Sequence, residues 1–222
     1  MHRTLIALAA CCVSLSSLTA FGALAVIPSP SDDLALAGVG YSSSTGFGGT
    51  PDHINDGNRN GIYHGPGVDN SISHSAGPAP NQFMGVYFTG AHEINQINIF
   101  NRPGFESRLD GSGTVPFKVD LFSGGTAGAN YTDGTNIFSQ AYTYLPSIFL
   151  TDIPSGDTAN GMVIKLGQFY NINSIRVTQI NNDYMNLAEI EVFAPEPSSL
   201  VLAGLAAVGL TGYGIKRRRR TA

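Results

Sequence analysis

Apolar and polar residues alternate with a period of two along several short stretches of the chain. The pattern is clearest in Ile94-Asn95-Gln96-Ile97-Asn98-Ile99 and Ile172-Asn173-Ser174-Ile175-Arg176-Val177. Successive strand side chains point to opposite faces, so such stretches predict half-buried β-strands. Seven are expected, over residues 83–89, 93–101, 117–122, 136–144, 161–166, 172–180 and 187–193, separated by Gly, Asn, Asp and Pro. No useful helix-period run lies between them. Seven or eight short strands at this spacing predict an all-β antiparallel sandwich or barrel. Its opposing inner faces would bury Ile97, Ile99, Phe117, Val119, Leu121, Val163, Ile175, Val177 and Ile190.

The two ends of the chain break this pattern. Residues 1–25 read as a signal peptide: His2 and Arg3 make a basic start, Thr4 to about Val13 an apolar run, and Ala23-Leu24-Ala25 a small-x-small cleavage site. A competing reading is a lipoprotein signal, since Leu8-Ala9-Ala10-Cys11 fits a lipobox. Residues 26–52 are rich in Gly, Ser and Pro and read as a lead-in. Near the other end, Ser198 to Ile215 is an apolar run of 18 residues without a charge. As a helix it spans roughly 27 Å, close to the thickness of a hydrocarbon core. Lys216-Arg217-Arg218-Arg219-Arg220 follows, a stop-transfer cluster that holds this end in the cytoplasm. The expected organisation is therefore a signal peptide (1–25), a lead-in (26–52), a sandwich (53–194) and a tail (195–222).

Charge and cysteine content narrow the chemistry. The whole chain carries −4, yet residues 26–197 hold six basic against 16 acidic residues, a net of −10. Such a surface repels phosphates and argues against nucleic acid, while suiting divalent cations and neutral glycans. Both cysteines, Cys11 and Cys12, lie in the signal, which removes thiolate metals, redox motifs and cysteine nucleophiles from the delivered product. His53, His64, His74 and His92 are scattered rather than set at zinc spacing. The serines flanking His74 lack the marks of an activated nucleophile, and Asp52/Asp56 and Glu189/Glu191 are too local for a glycosidase pair. Gly46-Phe47-Gly48-Gly49 lacks the following helix of a phosphate loop.

The tail resembles the PEP-CTERM sorting signal of Gram-negative bacteria: Pro195-Glu196-Pro197, one apolar helix, then Arg217, Arg218, Arg219 and Arg220. The resemblance implies an integral-membrane exosortase that cuts near the motif and passes the protein to the surface or into an exopolysaccharide matrix. An ordinary C-terminal anchor is the alternative.

Three further stretches carry a second resemblance. They are Ile54-Asn55-Asp56-Gly57-Asn58, then residues 101–111 beginning Asn101-Arg102 and containing Arg108-Leu109, and Asn186-Leu187-Ala188-Glu189-Ile190-Glu191-Val192-Phe193. In this order they resemble the galactose-binding-like jelly-roll sandwich of discoidin domains and F-type lectins. Asp56-Gly57-Asn58 offers two side-chain oxygens around a permissive glycine, as a hard cation such as calcium requires, although the same residues also form ordinary turns. By resemblance Asp56, Asn58, Ser71 and Glu189 would ligate calcium, with His53 contributing its backbone carbonyl.

The resemblance also assigns a sugar pocket to His74, Arg102 and Arg108. Two guanidinium forks suit vicinal hydroxyls, and an imidazole donates or accepts. The chain departs from the family pattern at Gly104, which stands where an Asp is expected, and in both intervals between the three residues. The alternative is that Arg102 and Arg108 pair with Glu106 or Asp110 on a solvated loop. Phe83, Tyr87, Phe105, Tyr131, Tyr142 and Tyr144 are candidates for an aromatic sugar surface. The combined expectation is an exported, exosortase-sorted surface protein, non-catalytic, that binds extracellular polysaccharide with calcium support. A structural matrix protein without a pocket and a polysaccharide hydrolase are the other readings.

Overall fold

The structure, a computed structural model, describes residues 32–61, 63, 71–102, 107–110, 117–126, 132–150 and 159–195. The predicted signal peptide and the apolar run 198–215 with its basic cluster lie outside these residues. Among the described residues no helix is long and apolar enough to cross a membrane. What is described is an all-β antiparallel sandwich.

The described residues form eight strands: β1 (Val39–Ser42), β2 (Ser73–His74), β3 (Phe83–Asn101), β4 (Phe117–Thr126), β5 (Thr132–Tyr142), β6 (Ile148–Leu150), β7 (Ala159–Thr178) and β8 (Asn186–Phe193). Four expected strands merge into two: 83–89 with 93–101 as β3, and 161–166 with 172–180 as β7. Each long strand crosses from one layer to the other. The first part of β3 and the last part of β7 pair with each other, with β1 outside β3 and β4 then β5 outside β7. The last part of β3 and the first part of β7 form the second layer, with β8 then β2 beyond β3 and β6 beyond β7.

The crossings explain a feature of the sequence. Within each stretch that alternates, one apolar step is of three residues, Ile94 to Ile97 and Ile172 to Ile175. The β3–β7 register shifts between Tyr87 and His92 and between Ile94 and Gln96. An odd step in register exchanges the two faces of a strand. Met84, Val86, Phe88 and Ile94 therefore reach the same core as Ile97 and Ile99, and Ile172 reaches the same core as Ile175 and Val177. Of the nine expected core residues only Val163 differs. Its neighbour Ile164, opposite Ile97, enters the main core, and Val163 packs on a second cluster of Ile72, Phe100, Ile148 and Ala188.

Residues 32–52, read as a lead-in, contribute an edge strand and two short 3-10 turns, Leu34–Ala37 and Pro51–Ile54. Asp33 caps the first turn: one carboxylate oxygen accepts from Ala35 N (2.8 Å) and from Val192 N of β8 (2.7 Å). Asn55 donates to the Ala35 and Gly38 carbonyls (2.8 and 3.0 Å), tying this turn to the second. Gly85 leaves room for the Tyr41 ring, whose hydroxyl donates to the Ile175 carbonyl (3.0 Å) across the sheet. Small side chains and polar ties stitch this segment to the sandwich, so its weak periodicity hides its role.

Candidate functional site

The end of the sandwich at β2 gathers three residues that are far apart in sequence. His74 ends β2, which pairs with β8 through His74–Asn186. Arg102 follows β3, its N–H donating to the side chain of the buried Asn101 (2.8 Å). Arg108 lies in a single helical turn, Ser107–Asp110, pinned by Leu109, which is buried in the main core. These three line one cavity of about 320 Å³ together with Phe47, Tyr63 and Tyr184. That volume is at the lower end of the roughly 300–1,000 Å³ of small-ligand sites.

The cavity is organised by rings. His74, 4% exposed, sits 4.8 Å from Phe47, 5.4 Å from Tyr184 and 5.6 Å from Tyr63, centroid to centroid. The Arg102 guanidinium lies 4.5 Å above the Tyr63 ring and that of Arg108 5.3 Å above Tyr184. Each guanidinium thus sits over an aromatic ring. His74 Nδ1 lies 2.7 Å from the Ser75 carbonyl, which only accepts, so Nδ1 carries the hydrogen and neutral Nε2 is an acceptor. Burial lowers the His74 pKa; the Ser75 bond opposes this, and Arg108 and Arg102 lower it further. The lining therefore combines donor forks, one acceptor and apolar rings, the set that recognises a hydroxylated ring with one apolar face.

Phe47 was not anticipated as a site residue. Its backbone is left-handed (φ 55°), a conformation uncommon outside glycine, and its ring is 38% exposed beside His74 and Tyr184. The turn is fixed by Gly46 N–H donating to the His74 carbonyl (2.9 Å). Tyr63 and Tyr184 were also missed. The anticipated aromatics lie elsewhere: Phe83 and Tyr87 on the first layer, Tyr144 buried and Tyr142 packed against the core. Phe105 and Tyr131 lie outside the described residues, as do the side chains of Glu106 and Asp110.

A second group surrounds Glu189. Gly57 (φ +83°) turns the chain between Asp56 and Asn58, and its N–H donates to Glu189 Oε1 (3.3 Å). Asp56 accepts from Asn58 N (2.8 Å) and Asn58 from Asn60 N (3.2 Å). His53, in the 3-10 turn before Asp56, donates from Nδ1 to the Ile72 carbonyl (2.9 Å), which sets the segment beginning at the buried Ser71 alongside. Glu189 is fully buried, and its Oε2 has no hydrogen-bond partner among the described residues. Burial pushes its pKa up to about 9, with the charges of Asp56, Asp33 and Glu191 acting the same way and the Gly57 bond opposing. A buried, unpartnered carboxylate oxygen beside a second carboxylate suits a hard divalent cation. Among the described residues no three His, Cys, Asp or Glu side chains cluster for a metal. The set Asp56, Asn58, Ser71, Glu189 and the His53 carbonyl holds only two carboxylates, so the amide, hydroxyl and carbonyl oxygens must supply the rest. Glu191, two residues on, is used differently: it pairs with Arg59 and accepts from Asn98 Nδ2 (2.9 Å).

Residues 194–220 match the family model of the PEP-CTERM protein-sorting motif. The motif implies export and sorting to the cell surface. No match to a curated protein is found. Among solved structures, a fucose binding module of Streptococcus pneumoniae, SpX-3, is 23% identical at a TM-score of 0.54, covering 74% of this chain and 98% of its own. The lectin domain of lectinolysin, solved with Lewis b antigen, is 19% identical at 0.51, covering 73% and 96%. An F-lectin (fucolectin) from striped bass (Morone saxatilis) serum is 18% identical at 0.54, with 73% of this chain aligned to 48% of that one. At these identities the likeness is one of fold. The described domain shares the sandwich fold of these lectin and fucose-binding structures, and a PEP-CTERM sorting motif follows it.

Proposed function

We propose that this chain is an exported surface or matrix protein of a Gram-negative bacterium whose sandwich domain holds a glycan without transforming it. The observation that carries this reading is the convergence of His74, Arg102 and Arg108, from three distant segments, into one ring-lined cavity. In the proposed complex a sugar hydroxyl donates to His74 Nε2, neighbouring hydroxyls accept from the two guanidinium forks, and the apolar face of the ring lies against Phe47 or Tyr184. Single-site affinity would be weak, and many copies on a surface would raise it. Calcium, held by Asp56, Asn58, Ser71, Glu189 and the His53 carbonyl, would supply positive charge to the buried Glu189 carboxylate and lock the 56–58 turn to β8. An exosortase would remove the tail near Pro195-Glu196-Pro197 after the 198–215 helix had held the chain in the inner membrane.

A glycan array probed with the exported protein and with His74→Ala tests the pocket. Retention of a glycan by the parent and its loss in the variant is expected; equal retention by both would remove the pocket from the account. The mass of the exported form tests the tail, since processing predicts loss of the segment beyond about residue 197. An intact C-terminus in the mature product rejects it.

A further inference from the structure

Two other cavities meet on the opposite side of the first strand layer from its core. One, of about 430 Å³, is lined by Asn81, Phe83, Lys118, Arg176, Thr178 and Ile180. The other, of about 340 Å³, is lined by Ser43, Ser44, Asn81, Gln82 and the Gly77–Pro80 loop. Asn81 lines both, so the two adjoin at this residue, and together they outline one groove. The register shows how the sheet builds its floor: Phe83, Thr178 and Lys118 stand in one row across β3, β7 and β4, and Gly85, Arg176 and Asp120 in the row two residues along.

Three features mark this groove as a site. Asn81 is left-handed (φ 60°), and with Phe47 it makes up the non-glycine residues of positive φ among the described residues. Both line cavities, as expected where backbone strain is retained for function. Thr178 is 7% exposed, and its buried Oγ1 has no hydrogen-bond partner among the described residues. The groove is also charge-balanced. Lys118 Nζ lies 3.1 Å from the buried Asp120, and Arg176 pairs with Asp120 (3.5 Å) and with Asp133 while stacking over Phe83 (5.2 Å) and Phe122 (4.8 Å). A polyanion finds no net charge there, and a purely apolar ligand would strand the amide, hydroxyl and ammonium groups. An uncharged polyhydroxylated chain satisfies them, with its CH faces on Phe83, Pro78, Pro80 and Ile180.

We infer that this groove binds a stretch of neutral polysaccharide chain, at a site separate from the His74 pocket and independent of it. The test uses the full chain in a sugar-free detergent, titrated with neutral gluco-, manno- and galacto-oligosaccharides from single hexoses to hexasaccharides. In at least one series affinity should climb about tenfold with chain length, as expected when successive units add hydrogen bonds. Asn81→Gly keeps the left-handed backbone and removes the amide; Thr178→Val keeps the shape and removes the hydroxyl. With an unchanged far-UV circular dichroism spectrum and Tm as the check that each variant folds, each should abolish most of the length-dependent gain, while His74→Ala leaves it intact. Affinity independent of length in every series, absence of binding by every oligosaccharide, a gain that survives both groove variants, or a gain lost in His74→Ala would each overturn the inference. Failure of the His74 pocket shows separately, as monosaccharide binding unchanged in His74→Ala.

Discussion

The His74 pocket and the Glu189 corner lie near one another in the fold but solve opposite problems. In the pocket, rings and forks brace one another: each guanidinium lies on a tyrosine, and His74 is neutral with a defined tautomer. Such a cavity is complete before anything enters, which suits a ligand that comes and goes. The corner is incomplete as it stands. Glu189 is fully buried with one oxygen unpartnered and Asp56 close enough to oppose its ionisation. A site that is costly when empty suits an ion that stays. Under the proposed function, pre-organisation suits the one to recognition and frustration suits the other to structural support.

The largest expected effect breaks the comparison on the corner's side. Calcium at a hundredfold excess over its dissociation constant should stabilise the native state by about 2.7 kcal/mol. For a domain of this size that raises Tm by roughly 5–10 °C. Glu189→Gln keeps the side-chain shape and removes the charge, and should abolish the increase. A Tm insensitive to calcium from micromolar to millimolar, in the parent protein, would make the corner a plain turn. Next in size is Arg102→Lys in the pocket. It keeps the charge but loses the fork and its stacking on Tyr63, so affinity for a retained glycan should fall roughly tenfold to a hundredfold with Tm little changed. Equal affinity would mean the guanidinium braces Tyr63 without touching ligand.

The strands were legible because their apolar periodicity is strong, and even the layer crossings left a trace in the three-residue steps at Ile94–Ile97 and Ile172–Ile175. Joining four strands into two was not legible, since Gly90 and Gly167 read as breaks and stand inside continuous strands. His74, Arg102, Arg108 and Glu189 were singled out through the family resemblance, whose motifs hold charged or imidazole side chains at set places, and the fold brings the first three around one cavity. Phe47, Tyr63 and Tyr184 were not, because an aromatic in a loop has the same sequence signature whether it packs or binds. One signal was available for Phe47: a bulky residue bracketed by Gly46, Gly48 and Gly49 sits where the chain needs left-handed backbone. Asp33 escaped notice for a different reason. Beside its local cap to Ala35, its other bond runs to β8, 159 residues away, and no local pattern records that one.

Phe47→Gly sharpens the comparison within the pocket itself. A left-handed non-glycine residue costs about 1–2 kcal/mol, which glycine relieves. That relief offsets the lost ring contacts with His74 and Tyr184 and the extra chain entropy of glycine. Tm should therefore stay nearly constant while glycan affinity falls roughly threefold to tenfold through the lost stacking. A large drop in Tm with unchanged affinity would show that the strained ring is a packing element, and the pocket would lose its most exposed wall.

The smallest effect is the pH response of binding, and its sign follows from His74. Facing the imidazole are Arg102 and Arg108 with their charges and Phe47, Tyr63 and Tyr184 with their rings. Burial and the two arginines hold its pKa below the ordinary value of about 6.5. The native state thus binds fewer protons than the unfolded chain near that value. The associated stability is complete above about pH 6.5 and is lost as pH falls through the depressed native value. Binding should follow the same course, because protonation turns Nε2 from acceptor to donor and adds a third cation beside two others. Affinity should be flat from pH 8 to 6.5 and fall a few-fold below, whereas His74→Gln, which keeps an acceptor and cannot titrate, should show no such fall. A decline already under way above pH 6.5 would mean that the imidazole is charged in the native pocket, and the acceptor role assigned to Nε2 would be untenable.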